Sequence, residues 1–274
     1  EIVVVGGIWF EKGIQGNCHL QHLTLRQAKD CGVEGYSSFT MEDVLVEQCG
    51  MNGVYATGTG VVGRCTNVEV RQCGMSGVAA HNGASITLIG AKTAVHHNCT
   101  RGYSNVYGLA VYDSLRMKGH GSSSSTIQLV FPLSKEKVSL DNGGGGNWGA
   151  EGGGDINQIK TIAAVISSAN ETTSNSSTPR DILQTLPKFM KQQILAFFGY
   201  KDYTLSGRTC QYLKRLWTEA VEKGKLPLFV PVDCTTLHEA VGRVDRDDRL
   251  TTIVLGKGAH QIDGWYLKIW SAMN

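Results

Sequence analysis

Residues 43–54, DVLVEQCGMNGV, return as residues 67–78, NVEVRQCGMSGV, with eight of twelve letters unchanged and a spacing of 24. Self-similarity at 20–30 residues marks a solenoid, in which one repeat is a rung that cannot bury its apolar face alone. Both copies place Val at alternate positions, Val44 and Val46 against Val68 and Val70, and then run through Gln, Cys and Gly. Such alternation reads as a strand with one buried face, and the glycine as a turn that needs positive φ or close backbone approach. Weaker copies flank the pair. HLTLRQAKDCGVEG (22–35) carries Leu23, Leu25, Arg26 and Gln27 in matching places, and AVHHNCTRGYSNVYGLAV (94–111) carries Val95, His96 and Cys99.

Rungs of 21–26 residues, made of short β-runs between Gly, Asn and Ser turns, fit coils stacked about 4.8 Å apart. A leucine-rich horseshoe has a similar period, but its Leu-rich consensus is missing. The pattern resembles the right-handed pectin-lyase-like parallel β-helix over residues 1–150. The 34 glycines and 41% hydrophobic content suit a solenoid core. No run of 18 apolar residues exists, so no membrane span is expected. A net charge of +2 gives a nucleic-acid partner no electrostatic support. The chain opens EIVVVGG without Met, as though it were cut from inside a longer parent.

Cys31, Cys49, Cys73 and Cys99 fall at one repeat position in this alignment and are expected to form an inward column of reduced thiols. Parallel Cβ vectors on stacked rungs rarely reach the dihedral a disulfide needs. The parent is accordingly expected to be intracellular, cytoplasmic or nuclear. Sequons at Asn98, Asn170 and Asn175 would be used only after secretion. HHNC (96–99) holds three potential metal ligands, but adjacent strand side chains point to opposite faces, and no metal is expected.

Enzymes that share the resembled fold cleave or epimerise acidic polysaccharides, with carboxylates, His, Tyr or Arg clustered on one outer sheet face. Here the outward column reads Arg26, Glu47, Arg71 and His96, an alternating charge ladder whose ordinary reading is solvated pairing. The Asp-Pro-His type motif of the alginate epimerases is absent. DNGGGGNWGAEGGGD (141–155) lacks a following GKS or GKT, and GKG (256–258) fails likewise, so no phosphate-binding loop and no cofactor is expected.

Residues 151–180 read as a Gly-rich exit and a Ser/Thr/Asn-rich linker. Over 181–225 the apolar period changes from 2 to 3.6, which predicts a small helical module. Its landmarks are Leu186-Pro187, ILAFFGYKD (194–202) and TCQYLKRLW (209–217). These resemble an F-box, which docks on a Skp-type adaptor of cullin-based ubiquitin ligases. The resemblance implies that Leu186, Pro187, Ile194, Leu195, Phe198 and Leu213 contribute to adaptor binding or packing. Departures are Phe189-Met190 in place of an acidic pair, Tyr203-Thr204 in place of two aliphatics, Thr209 for Val and Leu213 for Trp.

Residues 226–274 read as strand, helix, strand, strand, with a capping-box spacing at Thr236 and Glu239. TLHEAV followed by TTIVLGKGAHQI resembles the N-terminal cap and first coil of a pectin-lyase-like β-helix, standing here at the end of the chain. Residues 253–255 and 266–269 are therefore expected to lie as coils before residues 2–5, with helix 236–244 over the open end, within one chain or between two. The fold expected is mainly β: a right-handed parallel β-helix solenoid with a small α-helical F-box-like insert and a strand-helix-strand cap. The function expected is a non-enzymatic interaction module, the β-helix face binding an unknown protein substrate for an SCF-type ubiquitin ligase. The alternatives are a structural or binding repeat protein with no ligase link, and a carbohydrate-active protein of lyase or epimerase type.

Overall fold

The computed structural model describes residues 1–14, 18–113, 124–163, 226–230, 234–246 and 250–269. The fold is mainly β, with large parallel sheets in a solenoid-like, nearly barrel-shaped arrangement. Each passage of the chain contributes three strands. The first comprises β1 (Ile2–Phe10), which spans two positions, and β2 (Cys18–Gln21). The second holds β3 (Thr24–Arg26), β4 (Val33–Gly35) and β5 (Phe39–Glu42). The third holds β6 (Leu45–Glu47), β7 (Val54–Thr57) and β8 (Val62–Thr66), and the fourth β9 (Glu69–Arg71), β10 (Val78–His81) and β11 (Ser85–Ile89). The fifth has β12 (Ala94–His96), β13 (Leu109–Asp113) and β14 (Thr126–Val130). A short helix α1 (Lys135–Val138) then leads into β15 (Ser139–Leu140), β16 (Trp148–Gly152) and β17 (Ile159–Ile162). From β2 to β14 every strand pairs in parallel with the one three places on, and β1 pairs with both β3 and β4, so the stack continues past residue 150 to Ile162.

The alternating valines explain the stacking. Val4, Leu25, Val46, Val70 and Val95 occupy one register column, and all are buried. Ile8, Val33, Val54, Val78 and Leu109 form a second, and Met41, Cys65, Leu88 and Leu129 a third. Each fully buried aliphatic side chain contributes about 1.5–3 kcal/mol, so these columns outweigh any surface pairing.

The Gln-Cys-Gly motif is a corner. Gln27, Gln48, Gln72 and His97 each end a strand in the left-handed region, with φ of 55°, 56°, 56° and 54°. The glycine two residues on lies against the passage below: a Cβ at Gly74 would stand 2.2 Å from the Gly50 carbonyl oxygen. No larger residue fits there without moving backbone.

This corner corrects the cysteine alignment. All four cysteines are buried and free, but only Cys49 and Cys73 share a column. Counting from the paired strand ends Arg26, Glu47, Arg71 and His96, that column runs Ala28, Cys49, Cys73, Asn98. Cys31, two residues before Val33, stands level with Asn52 and Ser76 instead. The turn keeps six residues between strands in these passages, so setting Cys31 against Cys49 would need an insertion that 27–32 does not contain. Cys99 lies within the longer corner 97–108, itself at φ 61°.

The C-terminal segment consists of β18 (Leu226–Val230), α2 (Leu237–Val244), β19 (Leu250–Leu255) and β20 (Gly258–Ile269). β20 docks in parallel on β1 of the same chain. The register differs from the expected one: Gly258–Gln261 pairs with Ile2–Val5, whereas Tyr266–Ile269 pairs with Gly7–Phe10. β19 pairs with β18 rather than with β1. The reason is geometric, since β1 is long enough to take both halves of β20, which bulges opposite Gly6. Leu237, Val241 and Val244 of α2 join Ile262, Leu267 and Ile269 in the main core, so the helix closes this end. At its start Thr236 Oγ1 accepts from Glu239 N at 3.1 Å, while Glu239 reaches back to Thr235 N, one residue before the cap.

Candidate recognition groove

Between Gly6 and Leu109 the outer surface is shaped by what stands between the inward columns. The outward register column beside Val33 and Val54 reads Lys268, Trp9, Glu34, Tyr55, Ala79 and Ala110, large at one end and small at the other. The corners 27–32, 48–53, 72–77 and 97–108 rise along one side of it. Together they enclose a groove of about 480 Å³.

Trp9 organises one end. Its ring stacks on Tyr36 with centroids 5.3 Å apart and meets Tyr266 edge-on at 5.0 Å. The Lys268 ammonium lies 4.7 Å from its ring centroid and 3.3 Å from Glu11 Oε1. The Trp9 indole nitrogen is buried without a hydrogen-bond partner. Glu34, only 8% exposed, accepts from the Tyr36 hydroxyl at 3.0 Å. The Tyr266 hydroxyl hydrogen-bonds with Asp30 and Glu34.

Burial pushes the Glu34 carboxyl above the ordinary glutamate range; the bonds from Tyr266 and Tyr36 oppose this, and the Asp30 charge adds to it. Burial and the neighbouring carboxylate likewise push the Tyr36 phenol far up. At the other end Tyr55 Oη and His81 Nδ1 are 2.7 Å apart, and burial lowers the His81 pKa, which favours neutral imidazole. Tyr112 bonds with Ser76 Oγ at 2.9 Å and donates to Asn105 O at 3.2 Å, fixing the long corner to the sheet. Met51 and Met75 supply an adaptable apolar side. Among the described residues that line the groove, none is Lys or Arg.

The charge ladder lies on the neighbouring face and is drier than expected. Glu47 has a side chain only 7% exposed and bridges Arg26 and Arg71, each at 2.8 Å. Arg71 also bonds Glu69, which His96 approaches at 3.3 Å. The imidazoles of His96 and His97 stand side by side with nitrogens 2.8 Å apart, contrary to strand alternation, because His97 is left-handed. Among the described residues no group of three His, Cys, Asp or Glu is placed to hold a metal.

Asn98 is 1% exposed; its amide donates to Val70 O and His96 O while its oxygen accepts from Cys73 N. A glycan cannot be carried on that nitrogen in the folded protein. Asn170, Asn175 and the F-box-like residues Leu186, Pro187, Ile194, Leu195, Phe198 and Leu213 lie outside the described residues.

The groove was not found from the sequence. Trp9, Glu34 and Tyr55 recur at the rung spacing but share no residue type, Tyr36 stands outside that column, and Tyr266 comes from the far end of the chain. The available signal was the large residue at the outward position of strands β1, β4 and β7. Comparison with protein-family models, with curated proteins and with solved structures returned no match for this chain.

Proposed function

We propose that the chain is a right-handed, pectin-lyase-like parallel β-helix that works as a non-enzymatic recognition module, its outer face holding a partner protein. The groove carries this reading: aromatic side chains supply large contact area at low entropic cost, and its polar groups are already held in place by hydrogen bonds. The segment 181–225 would join it to a Skp-type adaptor through the F-box-like face of Ile194, Leu195 and Phe198, which makes the bound protein a ubiquitin-ligase substrate. Buried, free thiols and the inaccessible Asn98 support an intracellular setting. No helix among the described residues is long and apolar enough to cross a membrane.

Calorimetry of the full chain with a purified Skp-type adaptor tests the link. Binding that Ile194→Asp abolishes, with the β-sheet signal intact, supports it; no binding by the wild type leaves a binding repeat protein without a ligase connection. A carbohydrate-active reading draws on one observation, a buried carboxyl with raised pKa in an aromatic groove, which is the setting of a general acid. Turnover of acidic polysaccharide that Glu34→Gln removes would establish it.

A further inference from the structure

The groove is unbalanced in charge. Asp30 and Glu34 both stand in its lining, no lysine or arginine shares that lining among the described residues, and His81 at the far end has its pKa lowered by burial. The Lys268 ammonium is outside that lining, held between Glu11 and the face of Trp9. Tyrosine hydroxyls partly replace the water that Glu34 has lost, but a phenol supplies a dipole and no charge. Two carboxyl groups set among Trp9, Tyr36, Tyr55 and Tyr266 have the composition that attracts a cation, by charge and through the negative faces of the rings. Lys268 already demonstrates one such contact in this molecule.

We infer that the groove receives a cationic side chain, an arginine or a lysine, from the partner protein. The inference rests on the partner-binding reading above and adds to it the chemistry of the anchor. A guanidinium fits better than an ammonium, because its planar fork can bond Asp30 and Glu34 together while its flat face lies on a ring. Tyr266 belongs to β20, so the site is complete only while the C-terminal strand is docked on β1. Occupation of the groove and docking of the tail therefore support each other, since a ligand that binds only the docked form stabilises that form.

The test uses the full chain and three probes: a capped Gly-Arg-Gly peptide, the capped Gly-Gln-Gly peptide and a neutral oligosaccharide, cellohexaose. Binding is followed by the indole N–H resonance of Trp9, assigned through Trp9→Phe. The Arg peptide is expected to shift that resonance saturably, and the Gln peptide at least about tenfold more weakly, the factor that one charge-assisted hydrogen bond provides. Glu34→Gln and Asp30→Asn should each weaken the Arg peptide about tenfold. Asp30 is the more exposed of the two, so its variant keeps the test valid if Glu34→Gln unfolds. Tyr266→Phe should weaken the Arg peptide and speed amide exchange in 258–269. Equal binding of the Arg and Gln peptides would overturn the cation and leave a peptide site. Binding of cellohexaose alone would overturn both the cation and the protein partner. No shift with any probe at millimolar concentration would overturn the inference, while the adaptor and partner reading would still stand or fall by its own calorimetry.

Discussion

Tyr266 meets Trp9 edge-on, with ring centroids 5.0 Å apart and planes at 88°, although the two residues come from opposite ends of the chain. The contact exists because β20 lies on β1 as an added passage of the stack. Strand pairing, core closure and the lining of the groove thus meet at one place.

Docking of the tail should depend on Gly6. That residue has φ +129°, and a Cβ there would stand 2.6 Å from Ile262 Cβ. Gly6→Ala is expected to separate β20 from β1 near the bulge, seen as faster hydrogen exchange in 258–269 with the β6 to β14 amides still protected. Unchanged exchange in the tail would mean that the bulge can absorb a methyl group.

Glu47 should matter more than an ordinary surface acid. Glu47→Gln leaves Arg26 and Arg71 facing a neutral amide, with an expected loss of about 1–2 kcal/mol; the figure is held down because both guanidinium groups are more than a third exposed. Urea unfolding measures it. The loss should shrink in 1 M salt, where exposed charges are screened. A loss under a few tenths of a kcal/mol would return the ladder to solvated pairing.

Asn98→Ala removes the acceptor of Cys73 N–H and the donor to Val70 O and His96 O, and should cost about 2–4 kcal/mol, because each buried group left alone costs about 1–3. Thermal unfolding checks this. The neighbouring Cys49 thiol, raised by its contact with the Cys73 sulfur and by burial, should alkylate slowly in the native protein and rapidly in urea. Fast native labelling of Cys49 would place that sulfur at the surface.

Stability should fall as pH rises across the titration of Glu34. Its folded form holds the proton more tightly than the unfolded chain does, so the stabilisation is full below the unfolded value of about 4.3 and is lost as pH climbs through the raised folded value. Asp30, Tyr36 and Tyr266 face the same carboxyl, and burial holds the two phenols far above that range. Denaturation midpoints of wild type and Glu34→Gln between pH 4 and 7 test the point. The variant should have the more positive slope, and identical slopes would deny the shift.

The rungs were legible because each is a local statement. Alternating Val44 and Val46, or Val68 and Val70, define the buried side of a strand, and Gln-Cys-Gly defines the corner after it, whatever lies elsewhere in the chain. The pairing of Arg26, Glu47 and Arg71 was legible for the same reason, since successive rungs repeat in register.

Other features depended on how the rungs register against one another. The letters Cys-Gly set Cys31 against Cys49, and only the constant corner length puts Cys31 beside Asn52 instead. The left-handed φ of His97 reversed the strand rule that separates it from His96. The dryness of Glu47 came from two neighbours closing over it. Sequence alone determined the period, the buried face and the closing character of the tail, because those follow from side-chain alternation and capping chemistry. Tertiary structure decided which residues became neighbours across rungs and between the chain ends, and hence the groove, because distance in space between Trp9, Glu34 and Tyr266 is set by register and docking and is written in no local pattern.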